Sequence, residues 1–494
     1  MVSLLERLGE LPFWLIALAW VIDVGIRVVM LGIVPGNRRP TTAMAWLLAI
    51  FFIPAVGLAL FLLFGNFRLS ERRVRRQLEI NKQVLDYTQH LESDDALDMV
   101  PPAIASAVAL NRRLGAFPLD AGNKFEFVTD YRESLEQMTA AVDAAEQYVH
   151  VQFYIIGDDP EYVGPFLAAL ERAVGRGVKV RLLFDHLGTL RVKGYGDLLE
   201  RMTAAGIEWR AMLPISPRTR QWRRPDLRNH RKMVVVDGDV AFTGSQNLIE
   251  PGYKRGSAHK IGREWVDLMA RVTGPMVTGL DVVFATDWSQ EAGDDDLLDD
   301  VVSGGVAPDA GSVTAQIVPS GPGFESENNL RLFNTLIYGA LEKLTITSPY
   351  FIPDDSLLYA ITTAAQRGVH VELFVSEKTD QFLVHHAQQS YYGQLLVAGV
   401  RIFRYQAPIV LHTKCFTVDD DVAVFGSSNM DMRSFSLNRE VSLMLVGEDA
   451  VQELDRVQAE YRENSTELTL IEWMHRPRLA KWVDNACRLT ATLQ

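Results

Sequence analysis

Two copies of one pattern of reactive residues stand out in the chain. Each copy contains a His-x-Lys triplet, an aspartate and a Gly-Ser-x-Asn run at identical offsets: His230, Lys232, Asp237, Ser245 and Asn247, then His412, Lys414, Asp419, Ser427 and Asn429. Imidazoles attack phosphorus or shuttle protons, and ammonium, hydroxyl and amide groups stabilise an anion. The pattern therefore indicates chemistry on a phosphodiester, with neither a metal ion nor an organic cofactor expected.

The spacing within each copy predicts how the side chains are presented. Residues two apart on a strand face the same way, so each histidine and its lysine face one pocket. Asp237-Gly238 is a hairpin signal, and Asp419 occupies the same turn in the second copy. We group both aspartates with the catalytic residues, although a place in the turn suggests that they hold the loop.

The two copies together predict a two-step displacement. One histidine attacks phosphorus to give a phosphohistidine, and the other protonates the departing oxygen and then takes the proton of the incoming hydroxyl. Lys232 and Lys414 supply positive charge. We expect four side chains to bind the phosphate: Ser245, Asn247, Ser427 and Asn429.

Each imidazole also needs an acceptor that fixes its tautomer. Glu264 and Glu440 are the candidates, because they follow arginines in matching Arg-Glu pairs ahead of apolar strands. The alternative is that both are ordinary surface salt-bridge residues.

The order of elements around the motifs repeats as well. Residues 148–156 and 344–352 are strand-like runs, each followed by a helical pattern and an Arg-Gly-Val strand signal. Alternating strands and helices predict an α/β fold with mostly parallel sheets flanked by helices. We expect two similar lobes, at residues 120–290 and 312–494, joined by a solvated acidic linker from residue 291.

The N-terminal end has the composition of a membrane segment. Met44–Phe64 is free of charged residues for 21 positions, which is long enough to span a bilayer as a helix. Leu11–Val34 is also apolar, but contains Asp23 and Arg27, which can pair on one helix face. We predict a helical hairpin and basic segment at residues 1–82, with two spans or one span and an interfacial helix.

The distribution of charge along the chain favours a cytoplasmic location of the catalytic body and disfavours nucleic acid as a binding partner. Residues 1–82 carry ten Lys/Arg against five Asp/Glu, so +5 of the total −13 lies there and −18 in the remainder. The cluster Arg68, Arg72, Arg73, Arg75 and Arg76 should be cytoplasmic by the positive-inside tendency. An acidic body repels a nucleic-acid backbone. Cys415 and Cys487 are too few for a disulfide framework.

The duplicated motif resembles the phospholipase D superfamily, and the chain is most similar there to bacterial cardiolipin synthases. The second resemblance rests on Arg38-Arg39-Pro40 before the second apolar segment, Asn229 before the first motif, and Asn438-Arg439-Glu440. It implies a plasma-membrane enzyme of bacteria that joins two phosphatidylglycerol molecules into cardiolipin and glycerol. It also implies His230 as nucleophile and His412 as acid and base.

Several alternatives remain open at this stage. A hydrolase would differ only in letting water meet the phosphohistidine, and another alcohol would give a different lipid. A nuclease and an inactive membrane scaffold are the other classes. The tail at residues 471–493 either lies at the membrane surface or packs on the second lobe. Arg433 either meets a lipid phosphate or pairs with Asp431.

Overall fold

The protein divides into two compact units. The structure is a computed structural model that describes residues 12–36, 38, 40–65, 71–88, 100–115, 117–215, 226–293, 296–324 and 327–491. The units are Met1–Arg68 and Leu69–Gln494. The boundary lies earlier than residue 82, because Ile80 and Val84 are buried in the core of the second unit. Arg68 and the side chains of Arg72 and Arg73 lie outside the described residues.

The described part of the first unit contains three helices: α1 (Phe13–Ile33), α2 (Pro40–Phe52) and α3 (Pro54–Phe64). Within the described residues, α1 is the one helix that is long and apolar enough to cross a membrane. The pairing of Asp23 with Arg27 is confirmed, at 2.7 Å between Oδ2 and the guanidinium.

The expectation that residues 44–64 form one straight transmembrane helix is wrong. Pro54 lacks the N–H that would continue the helix, and the chain breaks at Ile53. The Trp46 and Phe61 rings lie 5.6 Å apart, whereas a straight helix would separate the two residues by roughly 22 Å. Gly57 permits the fold-back, since a Cβ there would fall 2.4 Å from the Ala49 carbonyl oxygen.

Arg38 closes this fold-back. Its guanidinium donates to the carbonyl oxygens of Gly65 and Val34, both at 2.7 Å. The ends of α1 and α3 are thereby joined, so residues 40–64 form a short helical hairpin.

Where the structure describes it, the second unit begins with two helices and continues into two lobes. The leading helices and first lobe comprise α4 (Glu71–Thr88), α5 (Pro102–Gly115), β1 (Leu119–Val128), α6 (Tyr131–Ala144), β2 (Tyr148–Phe153), α7 (Gly164–Gly175), β3 (Lys179–Asp185), α8 (His186–Leu190), α9 (Tyr195–Ala204), β4 (Glu208–Met212), β5 (Arg228–Asn229), β6 (Met233–Val236), β7 (Val240–Gly244), α10 (Gly256–His259), β8 (Trp265–Val266), β9 (Met269–Thr273), α11 (Met276–Ala292) and α12 (Asp296–Ser303).

The second lobe repeats this plan. It comprises β10 (Val313–Ser320), α13 (Asn328–Gly339), β11 (Lys343–Thr347), α14 (Asp355–Gln366), β12 (His370–Ser376), α15 (Phe382–Ala398), β13 (Arg401–Tyr405), β14 (Val410–Leu411), β15 (Cys415–Val418), β16 (Val422–Gly426), α16 (Met432–Ser436), β17 (Asn438–Val446), α17 (Glu448–Glu463), β18 (Ser465–Leu468), α18 (Leu470–Met474) and α19 (Arg478–Arg488).

One sheet of 16 strands runs through both lobes. Its order is β18-β13-β12-β11-β15-β16-β17-β10-β1-β9-β7-β6-β2-β3-β4, and β5 pairs with β17 beside this path. The lobes meet where β1 and β10 pair antiparallel. Because each lobe contributes a half-sheet to a common sheet, the two lobes form one unit.

The α/β class with two similar lobes is confirmed, and the sheet itself is mixed. In each lobe three strands are parallel, β2-β3-β4 and β11-β12-β13. The motif hairpins β6-β7 and β15-β16 are antiparallel, because each folds back at its aspartate turn. Antiparallel pairing thus delivers the motifs to the centre of the sheet.

The acidic segment after residue 291 differs from the expected solvated linker. Its described part includes α12, whose Leu297 and Leu298 are buried in the core. The sequence predicted a solvated linker because aspartates surround the two leucines. Burial of apolar surface therefore fixes this connection between the lobes.

Candidate active site

Each motif histidine is held at its backbone by the opposite lobe. In the first lobe β5 pairs in parallel with β17, and the His230 N–H donates to the Arg439 carbonyl oxygen at 2.8 Å. In the second lobe β14 pairs with β8, and the His412 N–H donates to the Val266 carbonyl oxygen at 2.7 Å. This reciprocal exchange brings the two motifs to one place.

The imidazole rings are oriented by the same exchange. His230 Nδ1 lies 3.0 Å from Glu440 Oε2 and 3.0 Å from the Ser427 carbonyl oxygen. His412 Nδ1 lies 2.6 Å from Asp267 Oδ1. An acceptor at Nδ1 leaves Nε2 of each ring as the atom that can meet phosphorus or an oxygen.

The structure supports Glu440 as the carboxylate that orients His230, but the carboxylate at His412 is Asp267 and not Glu264. Glu440 contacts His230 as its position suggested, but Glu264 is exposed and the acceptor at His412 is Asp267. The two Arg-Glu pairs do not occupy equivalent positions in the two halves. Ser245 N and Ser427 N donate to Leu268 O and Val441 O, so Asp267 and Glu440 are the equivalent residues. The usable signal was an acid directly before an apolar strand.

The two motif serines contact the carboxylates that orient the histidines, and phosphate binding by these serines stays a prediction. Ser245 Oγ donates to Asp267 Oδ1 at 2.6 Å, and Ser427 Oγ donates to Glu440 Oε2 at 2.6 Å. Each Oγ also accepts a backbone N–H at 3.0 Å, from Leu268 and Val441 respectively. Their hydrogen bonds are therefore committed to the groups that orient the histidines.

The motif lysines are buried beside the histidines. Each Nζ donates to the backbone carbonyl oxygen of the histidine two residues earlier, Lys232 to His230 and Lys414 to His412. Lys232 Nζ also lies 5.6 Å from the centre of the Tyr154 ring. Both ammonium groups are buried, and that each faces the same pocket as its histidine stays a prediction.

The turn aspartates hold backbone and do not reach the histidines. Asp237 accepts the N–H groups of Glu146, Gln147 and Tyr148, each at 2.8 Å. Asp419 accepts those of Leu341, Glu342 and Lys343 in the same manner. Their grouping with the catalytic residues is corrected: each fixes the motif hairpin against the start of the neighbouring strand, β2 or β11.

The remaining motif side chains line a shared cavity. A cavity of about 760 Å³ is lined by His230, His412, Asn247 and Asn429. Asn247 Nδ2 donates to the Tyr253 hydroxyl at 2.8 Å. Asn429 Oδ1 is a buried polar atom without a partner among the described residues, as suits a side chain that awaits a ligand.

Burial controls the ionisation of this site. It lowers the pKa of His230 to about 4, with Lys232 adding to the effect and Glu440 opposing it. It also lowers the pKa of Lys232 to about 8 and of Lys414 to about 7, each against nearby carboxylates. Burial raises the pKa of Asp267, but His412 and other donors outweigh it and lower it to about 2. At neutral pH the imidazole of His230 is therefore uncharged, and Asp267 and Glu440 carry negative charge beside the two lysines.

Aromatic residues that the sequence analysis missed form the walls beside the rings. Tyr154 stands edge-on to His230, with ring centres 5.1 Å apart. Tyr253 and Tyr350 stand edge-on to His412, each at 6.4 Å. Tyr253 is in the left-handed region at φ 55°, in a turn that Glu250 holds by accepting the Gly252 N–H. No motif marked these tyrosines.

A cationic group lies at the Tyr154 end of the cavity. Arg191, Arg228 and Arg433 are close enough to act on the Tyr154 hydroxyl, and Lys193 also lines the cavity. Arg228 is neutralised by Asp185, at 3.0 Å. Arg433 donates to the Asp226 carbonyl oxygen at 2.9 Å, whereas Asp431 caps α16.

A buried charge cluster braces the His230 motif from behind. Asp287 on α11 accepts from Arg231 at 2.7 Å and from Arg439 at 2.5 Å, and Gln152 donates to it at 2.7 Å. Arg231 follows His230 and Arg439 precedes Glu440, so one carboxylate fixes both partners of the pair. In the second lobe the matching contact joins the hydroxyls of Thr413 and Tyr461, at 2.8 Å.

Comparison with known proteins gives a consistent result. The family model described as "Cardiolipin synthase, PLD-like domain" matches residues 138–259 and 334–461, and "Phospholipase_D-nuclease N-terminal" matches residues 13–66. The chain is 34% identical to cardiolipin synthase A of Proteus mirabilis over 95% of both chains. It is 33% identical to cardiolipin synthase A of Edwardsiella ictaluri over 96% of both.

A solved structure supports the fold. The crystal structure of phosphatidylserine synthase from Haemophilus influenzae superposes with a TM-score of 0.58 at 17% identity, covering 78% of this chain and 99% of that one. At this identity the similarity concerns the fold alone.

Proposed function

The chain belongs to the family of cardiolipin synthases with a phospholipase D-like domain, and on this premise we propose that it transfers a phosphatidyl group between two phosphatidylglycerol molecules. It is an enzyme of the phospholipase D superfamily. Its products are then cardiolipin and glycerol. The bilayer supplies both substrates and receives the lipid product.

The proposed reaction has two displacements. His230 Nε2 attacks the donor phosphorus and the bond from phosphorus to the glycerol oxygen breaks. His412, protonated on both nitrogens while Asp267 balances its charge, gives its Nε2 proton to that oxygen. The acceptor hydroxyl then gives its proton to His412 and attacks phosphorus, and the bond to His230 breaks. Lys232 and Lys414 stabilise the added negative charge of each pentacoordinate centre.

One observation carries the proposal: both imidazoles line one cavity and are oriented at Nδ1 by carboxylates of the opposite lobe. His230 is the proposed nucleophile, and burial lowers its pKa to about 4, which keeps the attacking imidazole neutral. Burial also lowers the pKa of His412, against the opposing effect of Asp267. The 2.6 Å contact of His412 with Asp267 suits a ring that alternates between neutral and protonated forms.

Transfer to a lipid is supported over hydrolysis by the cations at the Tyr154 end. Water brings no charge to the cavity, whereas an acceptor phosphatidylglycerol brings a second phosphate. Arg191 and Lys193 lie there without a side-chain carboxylate partner among the described contacts, and Arg433 lies there near the carboxylate of Asp431. Such cations favour a second anionic group near the reacting phosphate.

The test supplies the full chain, in detergent or bilayer, with phosphatidylglycerol alone and identifies products by mass spectrometry. We expect cardiolipin and glycerol in equal amounts. Phosphatidic acid as the main lipid product would replace the proposal with a hydrolase. The variant His412→Asn serves as the inactive control.

A second measurement isolates the acceptor. Exchange of labelled glycerol into phosphatidylglycerol uses the same phosphohistidine but an acceptor without phosphate. We expect Arg191→Gln with Arg433→Gln to reduce cardiolipin formation about 100-fold while glycerol exchange falls far less, since each charged hydrogen bond contributes about 1.5–3 kcal/mol. Equal losses in both reactions would contradict the assignment of these cations to the acceptor.

We also propose that the catalytic body is cytoplasmic and that the membrane is the bacterial plasma membrane. The support is the helix α1, of spanning length, and the basic residues after the first unit, including Arg75 and Arg76. Reporter fusions after residue 88 that are active only outside the cytoplasm would overturn this orientation.

A further inference from the structure

The C-terminal helix α19 carries an apolar face that the fold leaves uncovered. Leu479, Trp482 and Leu489 are 72%, 67% and 84% exposed and lie on one side of the helix. The opposite side, with Asp484 and Cys487, is buried against the second lobe. A helix that only packed on the lobe would need one apolar face, so the second face calls for a partner.

Neighbouring helices extend this face into a larger surface. Met474 on α18 and Phe382 and Leu383 at the start of α15 are also more than half exposed. His386 of α15 contacts Asp484 of α19 at 2.7 Å, and the Phe382 ring lies 4.4 Å from that histidine. We name these six residues the C-terminal apolar patch: Phe382, Leu383, Met474, Leu479, Trp482 and Leu489.

The charges around the patch are basic in an otherwise acidic body. Residues 470–491 contain four Lys/Arg against two Asp/Glu, and of the two acids Asp484 is buried and paired with Arg476. Arg478 and Lys481 flank Leu479 and Trp482 on α19. Basic side chains beside exposed tryptophan and leucine are typical of helices that lie in the interface of an anionic bilayer.

The patch also borders the active-site cavity. Gln381 and Val384 line the cavity, and the exposed Phe382 and Leu383 lie between them in sequence. A surface that entered the bilayer here would bring the cavity to the level of lipid headgroups.

We propose that the C-terminal apolar patch docks the catalytic body on an anionic lipid bilayer and places the cavity entrance at its headgroups. The role of this docking in catalysis rests on the proposed function, whereas the quenching test of docking does not. The partner is the bilayer surface, with Trp482 and Leu479 in the acyl boundary and Arg478 and Lys481 at lipid phosphates. The tail therefore does both things that its sequence allows: one face packs on the lobe and the other meets lipid.

The test measures immersion of single positions in the full chain. Leu479→Cys is labelled with an environment-sensitive fluorophore, and the protein is placed in nanodiscs whose phosphatidylglycerol carries a quencher in the acyl chain. Tyr359→Cys is the matched control, since Tyr359 is 63% exposed on α14, outside the patch. We expect strong quenching at position 479 and none at 359. Equal or absent quenching at both positions would overturn the proposal.

An activity measurement separates docking from catalysis. We expect Trp482→Ser with Arg478→Gln and Lys481→Gln to raise the KM for bilayer phosphatidylglycerol about tenfold. The rate on dispersed short-chain phosphatidylglycerol should remain unchanged. Equal losses on both substrates, or quenching that disappears when the protein is kept monomeric, would overturn it. Because quenching needs no turnover, it decides docking even if the enzyme makes no cardiolipin.

Discussion

The two halves of the active site share one design and differ in what stands behind each histidine. His230 lies 3.0 Å from Glu440 and is braced by the charge cluster of Arg231, Asp287 and Arg439. His412 lies 2.6 Å from Asp267, and its motif is braced by a contact between neutral hydroxyls.

The difference suits a division of labour between the rings. A nucleophile must return to the same position for each attack, and a buried cluster of charges fixes both His230 and its acceptor. An acid and base must change charge in each step, and a close carboxylate favours the protonated form. The two motifs share one spacing around one cavity, and their different surroundings support the proposed roles.

The largest effect should come from removing one imidazole. We expect His230→Asn or His412→Asn to lower kcat about 10,000-fold, because the two rings act as one unit. Phosphorylated protein should accumulate in His412→Asn with the label at His230, as shown by peptide mass spectrometry. A label at His412 in the His230→Asn variant would reverse the roles.

Exchange of the orienting carboxylates should have the next largest effect. Asp267→Asn and Glu440→Gln keep the shape but change the acceptor, and we expect kcat to fall between about 100-fold and 10,000-fold. Rapid-quench kinetics should show slower phosphoenzyme formation in Glu440→Gln. Glu264→Gln is the control, because Glu264 is exposed and the acceptor at His412 Nδ1 is Asp267. A similar loss there would contradict the assignment of Asp267.

The contacts behind the two histidine motifs should contribute differently to the free energy of unfolding. Asp287→Asn leaves two buried guanidinium groups without their carboxylate, and we expect the free energy of unfolding to fall by about 3–5 kcal/mol. Tyr461→Phe removes one neutral hydrogen bond and should cost about 1 kcal/mol. Urea unfolding of the full chain in detergent measures both. Equal losses would show that the two halves are braced alike.

The smallest effect concerns pH. Lys414 has a pKa of about 7, so it loses its positive charge as pH rises through that value and the pentacoordinate centre loses a stabilising cation. We expect kcat/KM to decrease above about pH 7 and to approach a tenfold fall per pH unit. Lys414→Arg, whose charge persists, should flatten this limb. If kcat/KM of Lys414→Arg decreases above pH 7 as in the unchanged protein, the group that loses its proton there is not Lys414.

Much of the site could be predicted from the motif spacing. The two-residue spacing placed His230 beside Lys232 and His412 beside Lys414, and each lysine Nζ contacts the carbonyl oxygen of its histidine. Glu440 was found because it precedes an apolar strand. Asp267 was missed because the segment between Asn247 and β8 is longer than its counterpart, so the halves cannot be aligned by counting.

Other features depended on contacts far apart in the chain. The serines look like phosphate ligands in sequence, yet each lies next to a carboxylate from the following strand. Residues 44–64 have the composition of a membrane span, but Pro54 and Gly57 allow the segment to fold back. The three tyrosines around the rings carry no motif, since aromatic walls are set by the shape of the cavity.

The sequence by itself determined which reactive groups are present and that two copies of each occur at the same spacing. Only the tertiary structure decided which carboxylate serves which histidine and what braces each pair. The physical reason is that reactivity belongs to single residues and their local spacing, whereas orientation and pKa depend on neighbours that the opposite lobe supplies.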